Sequence, residues 1–250
     1  KKIPISILKL KTTKNNAPTL LYGYGSYGMS MTPSFSVARL SLVDRGMVFA
    51  IAHIRGGMEK GRQWYLDGKL RKKKNTFKDF IKSAKFLKNS KISGDLTIHG
   101  GSAGGLLIGS TINMAPKLFK SAVADVPFVD VLNTILDASL PLTPPEWEEW
   151  GNPILNKNDF LNIKSYSPYD NVRKQEYPSL LVTAGLTDPR VTYWEAAKWV
   201  ARLRELKTDK NDIFLKTNMD AGHAGKAGRY HQIDETAFMY SFILNSHNLL

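Results

Sequence analysis

Cysteine is absent from all 250 residues. That excludes disulfide scaffolds, thiolate zinc sites and a cysteine nucleophile. Acidic residues are in the minority, 22 against 35 Lys and Arg, for a formal net charge of +13. The excess is no nucleic-acid signature. The lysines are scattered among asparagines on what reads as a solvated surface, and only "KLRKKKNTFKD" (69–79) forms a true basic cluster, leading into a helix. Long apolar runs are missing too. The two uncharged stretches, 17–38 and 96–116, are broken by glycine and proline, so neither reads as a membrane span. No signal peptide is visible. Lys1 runs directly into a strand pattern, so the true N-terminus and any targeting signal are expected to lie outside this sequence, and the expected compartment is cytoplasmic.

What is present is a repeated alternation. "IPISILKL" reads as a half-exposed strand; "PTLLYGYG", "MVFAIAHI", "DLTIHGG", "SAVADVP" and "SLLVTAG" read as buried strands ending in turns. Between them lie helix patterns: "PSFSVARLSLVDRG", "TFKDFIKSAKFLKNS" with Thr76 near its start, "SAGGLLIGSTINMAP", "VTYWEAAKWVARLREL" and "IDETAFMYSFILNSHN". The alternation predicts one α/β domain over 1–250, with a mostly parallel sheet and helices on both faces. Residues 130–178, rich in proline and tryptophan, read as an irregular insertion beside the site.

The chemistry centres on "IHGGSAGG" (98–105). Gly100 to Gly104 match G-x-S-x-G, with a strand before and a helix after. Such a turn exposes Ser102 at a helix N-terminus, where backbone N–H groups favour a developing oxyanion. A phosphate-cradling loop requires a lysine that "GGLLIGS" lacks, and a dinucleotide fingerprint fits poorly. No cofactor or metal is expected.

A serine nucleophile needs a base and an orienting acid, in this architecture on loops after later strands, in the order Ser, Asp, His. Asp188 follows "SLLVTAG", and His223, flanked by glycines, follows "NDIFLKTNM". The competitors read otherwise. His53 is structural within its strand pattern, His99 lines the turn, His231 and His247 lie on helical patterns, and Asp220 is a turn residue. For the oxyanion, the Ala103 N–H is one donor. The second comes from "LLYGYGSYG", where Tyr24 offers its phenol unless these tyrosines serve only for packing.

Eight blocks in order, among them "LLYGYGSYG", "HIRGGMEKGRQWYLDGK", "HGGSAGGLLIG", "DVPFVDVLNTILD", "EWEEWGNP" and "DAGHAGKAGRYHQ", resemble the catalytic domain of the prolyl oligopeptidase family over nearly the whole chain. The resemblance implies an α/β-hydrolase fold, the triad Ser102, Asp188 and His223, oxyanion donation by Tyr24, and substrate binding by Arg190. It also implies a β-propeller cap that admits only short peptides. No propeller is present here, so one removed or separately encoded is an expected partner. Within the family the chain is most similar to the branch that cuts after Lys or Arg, using glutamates that match Glu146 and Glu148. A local acidic pocket is also what a basic protein needs to hold a cationic side chain. The tryptophan that precedes "YSP" in the proline-specific branch is missing. Thr32 and Ser34 stand where relatives carry acids for a second basic residue, so a dibasic preference is expected to be weak. The expected function is therefore hydrolysis of short basic peptides, with a generic esterase or acyl-peptidase and an inactive truncated remnant as alternatives.

Overall fold

The computed structural model describes residues 1–250. Seven strands form one sheet: β1 (Ile5–Leu8), β2 (Ala17–Tyr22), β3 (Val48–Ala52), β4 (Ser93–Gly101), β5 (Ser121–Asp125), β6 (Ser179–Gly185) and β7 (Ile213–Asn218). Their spatial order is β1-β3-β2-β4-β5-β6-β7. Only β1 runs antiparallel, pairing with β3 at the edge; every other pair is parallel. The half-exposed pattern of β1 and the near-continuous apolar runs of the inner strands follow from those positions.

Nine helices accompany the sheet: α1 (Val37–Asp44), α2 (Arg62–Leu66), α3 (Lys74–Asn89), α4 (Ala103–Met114), α5 (Val131–Leu136), α6 (Thr143–Trp150), α7 (Lys157–Lys164), α8 (Tyr193–Leu206) and α9 (Arg229–Ser246). The two-residue period of the strands sorts the core into two layers. Ala50, Ala122, Leu180 and Val182 face a cluster of 37 buried residues that includes Phe77 and Phe80 of α3, Leu107 of α4 and Trp199 of α8. Their neighbours Phe49, Ile51, Val123 and Leu181 face a smaller layer with Leu42 of α1 and Ile243 of α9. Burying each of the Val, Leu, Ile and Phe side chains stabilises by about 1.5–3 kcal/mol, so the sheet is a stiff platform.

Residues 130–178 are more regular than their composition predicts, carrying α5, α6 and α7. Pro144 and Pro145 misled the sequence reading. They fall within the first turn of α6, where a missing N–H costs nothing. Thr76 sits inside α3, donating its hydroxyl to the Arg55 and Gly68 carbonyls. The last helix starts at Arg229, directly after the left-handed Gly228 and earlier than its apolar pattern predicts.

Candidate active site

Four parallel strands deliver the expected site residues at their carboxyl ends: β2 leads to Tyr24, β4 to Ser102, β6 to Asp188 and β7 to His223. In open α/β sheets this is the edge where ligands bind.

Ser102 joins β4 to α4 with φ 56° and ψ −120°, a left-handed backbone that costs a side-chain-bearing residue about 1–3 kcal/mol. The surroundings hold it there. Its N–H donates to the Asp125 carbonyl at 2.8 Å, and its carbonyl accepts from Gly105 N–H at 2.8 Å and Phe128 N–H at 3.1 Å. The flanking glycines are demanded by close approach. A Cβ on Gly100 would lie 2.5 Å from the Gly104 carbonyl oxygen, and one on Gly105 would lie 2.3 Å from Pro127.

Asp188 is wholly enclosed, its side chain 0% exposed. Oδ2 meets His223 Nδ1 at 2.7 Å, while Oδ1 accepts the backbone N–H groups of Arg190 and Val191 at 2.8 and 3.0 Å. Burial alone would raise this carboxyl. The imidazole and the two backbone donors outweigh it and hold the group below the usual aspartate value. His223 thus keeps Nε2 free. Ser102 Oγ is also without a partner, and no hydrogen bond joins the two. Such bonds are often long in unliganded sites and tighten when substrate arrives.

Ser102, Ala103, Tyr24, Glu146 and Arg190 line one cavity of about 390 Å³. The Tyr24 ring packs over Gly104. Burial, followed by the nearby Tyr22, Glu146 and Glu149, pushes its phenol up to about 12, so it keeps its proton as a donor at neutral pH. The Ala103 N–H, in the first turn of α4, has no intrahelical acceptor. His223 lines a second cavity of about 420 Å³ with Asp125.

Glu146 and Glu148 part company. On a helix, residues two apart do not share a face. Glu146 faces the cavity, whereas Glu148 is exposed and outside its lining. Oε2 of Glu146 takes the Tyr27 hydroxyl at 2.7 Å and the Trp150 Nε1–H; Oε1 has no partner within the chain. Glu149, three residues along, is buried, accepting the Tyr27 N–H and the Tyr65 hydroxyl. In sequence Glu149 groups with Glu146 and Glu148 as a pocket carboxylate, but its buried role, Tyr27 and Lys73 escaped the sequence reading. A signal existed, since Lys73 continues the apolar stripe of Phe77, Phe80, Ala84 and Leu87 at helical spacing.

The competing groups fall elsewhere. His53 is buried against Ser6 Oγ, His247 bonds Thr97 Oγ1, His231 is exposed, and exposed Asp220 pairs with Lys226. His99 contacts Asp125. Thr32 and Ser34 lie outside the lining of the Ser102 cavity. No group of His, Asp or Glu has metal-binding geometry, and no helix is long and apolar enough to cross a membrane.

Comparison with known proteins gives one direction. The family model described as "Prolyl oligopeptidase family" matches residues 33–249. "Protease 2" of Moraxella lacunata is 52% identical over 248 residues, covering 98% of this chain and 36% of the relative. "Dipeptidyl aminopeptidase BI" of Pseudoxanthomonas mexicana is 51% identical, with 98% and 34% covered. The solved structure of oligopeptidase B from Leishmania major superposes with a TM-score of 0.97 at 52% identity, over 100% of this chain and 35% of that one. The chain therefore spans about a third of the length of these relatives.

Proposed function

The chain belongs to the prolyl oligopeptidase family, and from that premise we propose that it is a serine peptidase cutting short peptides after lysine or arginine. Ser102 Oγ attacks the scissile carbonyl while His223 Nε2 takes its proton. Asp188, on Nδ1, fixes the tautomer and stabilises the imidazolium. The tetrahedral oxyanion is met by the Tyr24 hydroxyl and the Ala103 N–H. His223 then passes its proton to the leaving amine, and water repeats the sequence to free the acyl-enzyme. Arg190, exposed at the cavity wall, binds the substrate backbone.

One observation carries the specificity: Glu146 has one carboxylate oxygen occupied by Tyr27 and Trp150 and the other without a partner, on a cavity shared with Ser102. A guanidinium or ammonium entering there finds a fixed counter-charge. The remaining walls, with Phe128, Ile135, Leu140 and Leu142, also suit an uncharged acyl group, which favours a generic esterase as the second reading.

Hydrolysis of paired Arg and Phe p-nitroanilides separates the two. Ser102→Ala is expected to lower both rates by about 10⁴-fold or more. Glu146→Gln is expected to lower kcat/KM for Arg by about 10²-fold while sparing Phe. Glu148→Gln should change the ratio less than about twofold. Equal losses on both substrates in Glu146→Gln would favour the esterase.

A further inference from the structure

We propose that the buried pair Lys73–Glu149 positions the Glu146 carboxylate and thereby sets the preference for a cationic substrate side chain. The proposal rests on the reading of Glu146 given above.

Lys73 stands at the start of α3 and is 1% exposed. Its ammonium donates to the Gly25 carbonyl at 2.7 Å and to Ser26 Oγ at 2.6 Å, and lies 4.8 Å from the centroid of the Trp150 ring. Glu149, 3% exposed, is its counter-charge at 3.9 Å. Both partners act on the turn that presents Tyr27. Lys73 grips the two residues before it, and Glu149 Oε1 takes the Tyr27 N–H at 3.1 Å. Tyr27 needs that grip, because its φ of 58° is strained for a residue with a side chain. Its hydroxyl then holds Glu146 Oε2, and its ring meets Trp150 edge-on at 5.6 Å. Trp150 supplies the second donor to the same oxygen. Both groups that orient Glu146 therefore lean on the buried pair.

Charge gives the pair a second task. Glu146 and Glu149 are three residues apart on α6 and share a face. With no cation beside Glu149, two carboxylates would compete for one low-dielectric region, and ionisation of each would oppose the other. Burial lowers the Lys73 ammonium to about 8, with Glu149 opposing the fall, so it remains charged at neutral pH. Lys73 cancels the inner carboxylate and leaves the outer one for the ligand. A buried ion pair seldom adds net stability over apolar packing, so stability alone does not account for this one.

The test compares wild type, Lys73→Met, Glu149→Gln, and the double variant Lys73→Met/Glu149→Gln in the full chain. The readout is the ratio of kcat/KM for benzoyl-Arg to benzoyl-Phe p-nitroanilide, with active protein counted by fluorophosphonate labelling. A loss of folded protein, or a shift of Tyr24, scales both substrates and cancels in the ratio. Lys73→Met is expected to lower the ratio about tenfold, through KM for Arg. The double variant, again charge-balanced, should regain most of it, because the amide oxygen introduced at position 149 can still accept the Tyr27 N–H. An unchanged ratio in Lys73→Met, or a double variant no better than the single, overturns the proposal. If wild type itself shows no preference for Arg, the reading of Glu146 has failed, and that outcome is visible before any variant is measured.

Discussion

Two imidazole–carboxylate pairs flank the nucleophilic turn, and their lengths are the same. His223 Nδ1 meets Asp188 at 2.7 Å, and His99 Nε2 meets Asp125 at 2.7 Å. In each, burial pushes the aspartate up, and the imidazole with other donors overrides it, leaving the carboxyl below its usual value. What differs is which ring nitrogen is spent. His223 is held by the nitrogen nearest its backbone and keeps the far one for chemistry. His99, within β4, gives its far nitrogen to Asp125 and sets its ring edge-on to Tyr22 at 5.3 Å. Asp125 also accepts Thr183 Oγ1 at 3.0 Å, and its own carbonyl takes the Ser102 N–H. An imidazole–carboxylate pair of this kind is therefore no mark of catalysis by itself. In the proposed mechanism one pair moves a proton, and the other braces the turn that holds Ser102.

Removing each imidazole tests that division most severely. His223→Ala is expected to lower kcat by about 10⁴-fold or more, because nothing else can take the serine proton. His99→Ala should cost less than about tenfold, through a loosened turn. Steady-state kinetics on the Arg amide gives both values, and a comparable collapse in His99→Ala would break the distinction. The acids should follow their histidines at smaller amplitude. Asp188→Asn leaves the imidazole in the wrong tautomer, a change expected to cost about 10³–10⁴-fold in kcat. Asp125→Asn should stay within about fivefold, since the carbonyl that holds Ser102 N–H is backbone and survives the substitution.

The contrast also separates what the sequence could express from what it could not. The residues proposed as nucleophile, acid and base could be picked out because each sits at the end of a strand with a local reason for its neighbours: glycines where a Cβ would strike backbone, and a turn that exposes one hydroxyl. The mostly parallel character of the sheet, though not its strand order, followed from alternation alone. The role of His99 was open, because which carboxylate a strand histidine meets depends on the neighbouring strand. The split between Glu146 and Glu148 required knowing that "EWEEW" is helical, and two prolines pointed the other way. Lys73 was hidden within a basic cluster that otherwise lies on the surface. Its partner Glu149 lies far along the chain, and long-range charge pairing leaves no periodic trace.

The smallest effect concerns stability rather than rate, and its sign distinguishes bracing by charge from bracing by shape. The Asp125 carboxyl lies below its unfolded value of 3.8, so near that value the unfolded chain binds more protons than the native one. Its contribution is complete above about pH 5 and is lost as the pH falls through 3.8 and then through the lowered native value. A charge-assisted pair, 32% exposed on the carboxylate side, is worth about 1–2 kcal/mol, or roughly 2–8 °C in Tm for a chain of this size. Asp125→Asn should therefore melt below wild type at about pH 7, and the gap should narrow as the pH falls through 3.8 and close below the lowered native value. Glu195 acts in the opposite sense. Burial lifts its carboxyl from 4.5 to about 7, against hydrogen bonds from Thr134 and the Asp130 and Val129 N–H groups, so it withdraws stability as the pH rises across that interval. Glu195→Gln should flatten this decline, leaving the acid limb to carboxyls such as Asp125 and Asp188. A gap between wild type and Asp125→Asn that failed to narrow as the pH fell from about 5 through 3.8 would mean that the pair braces the turn through packing, and that its charge contributes little.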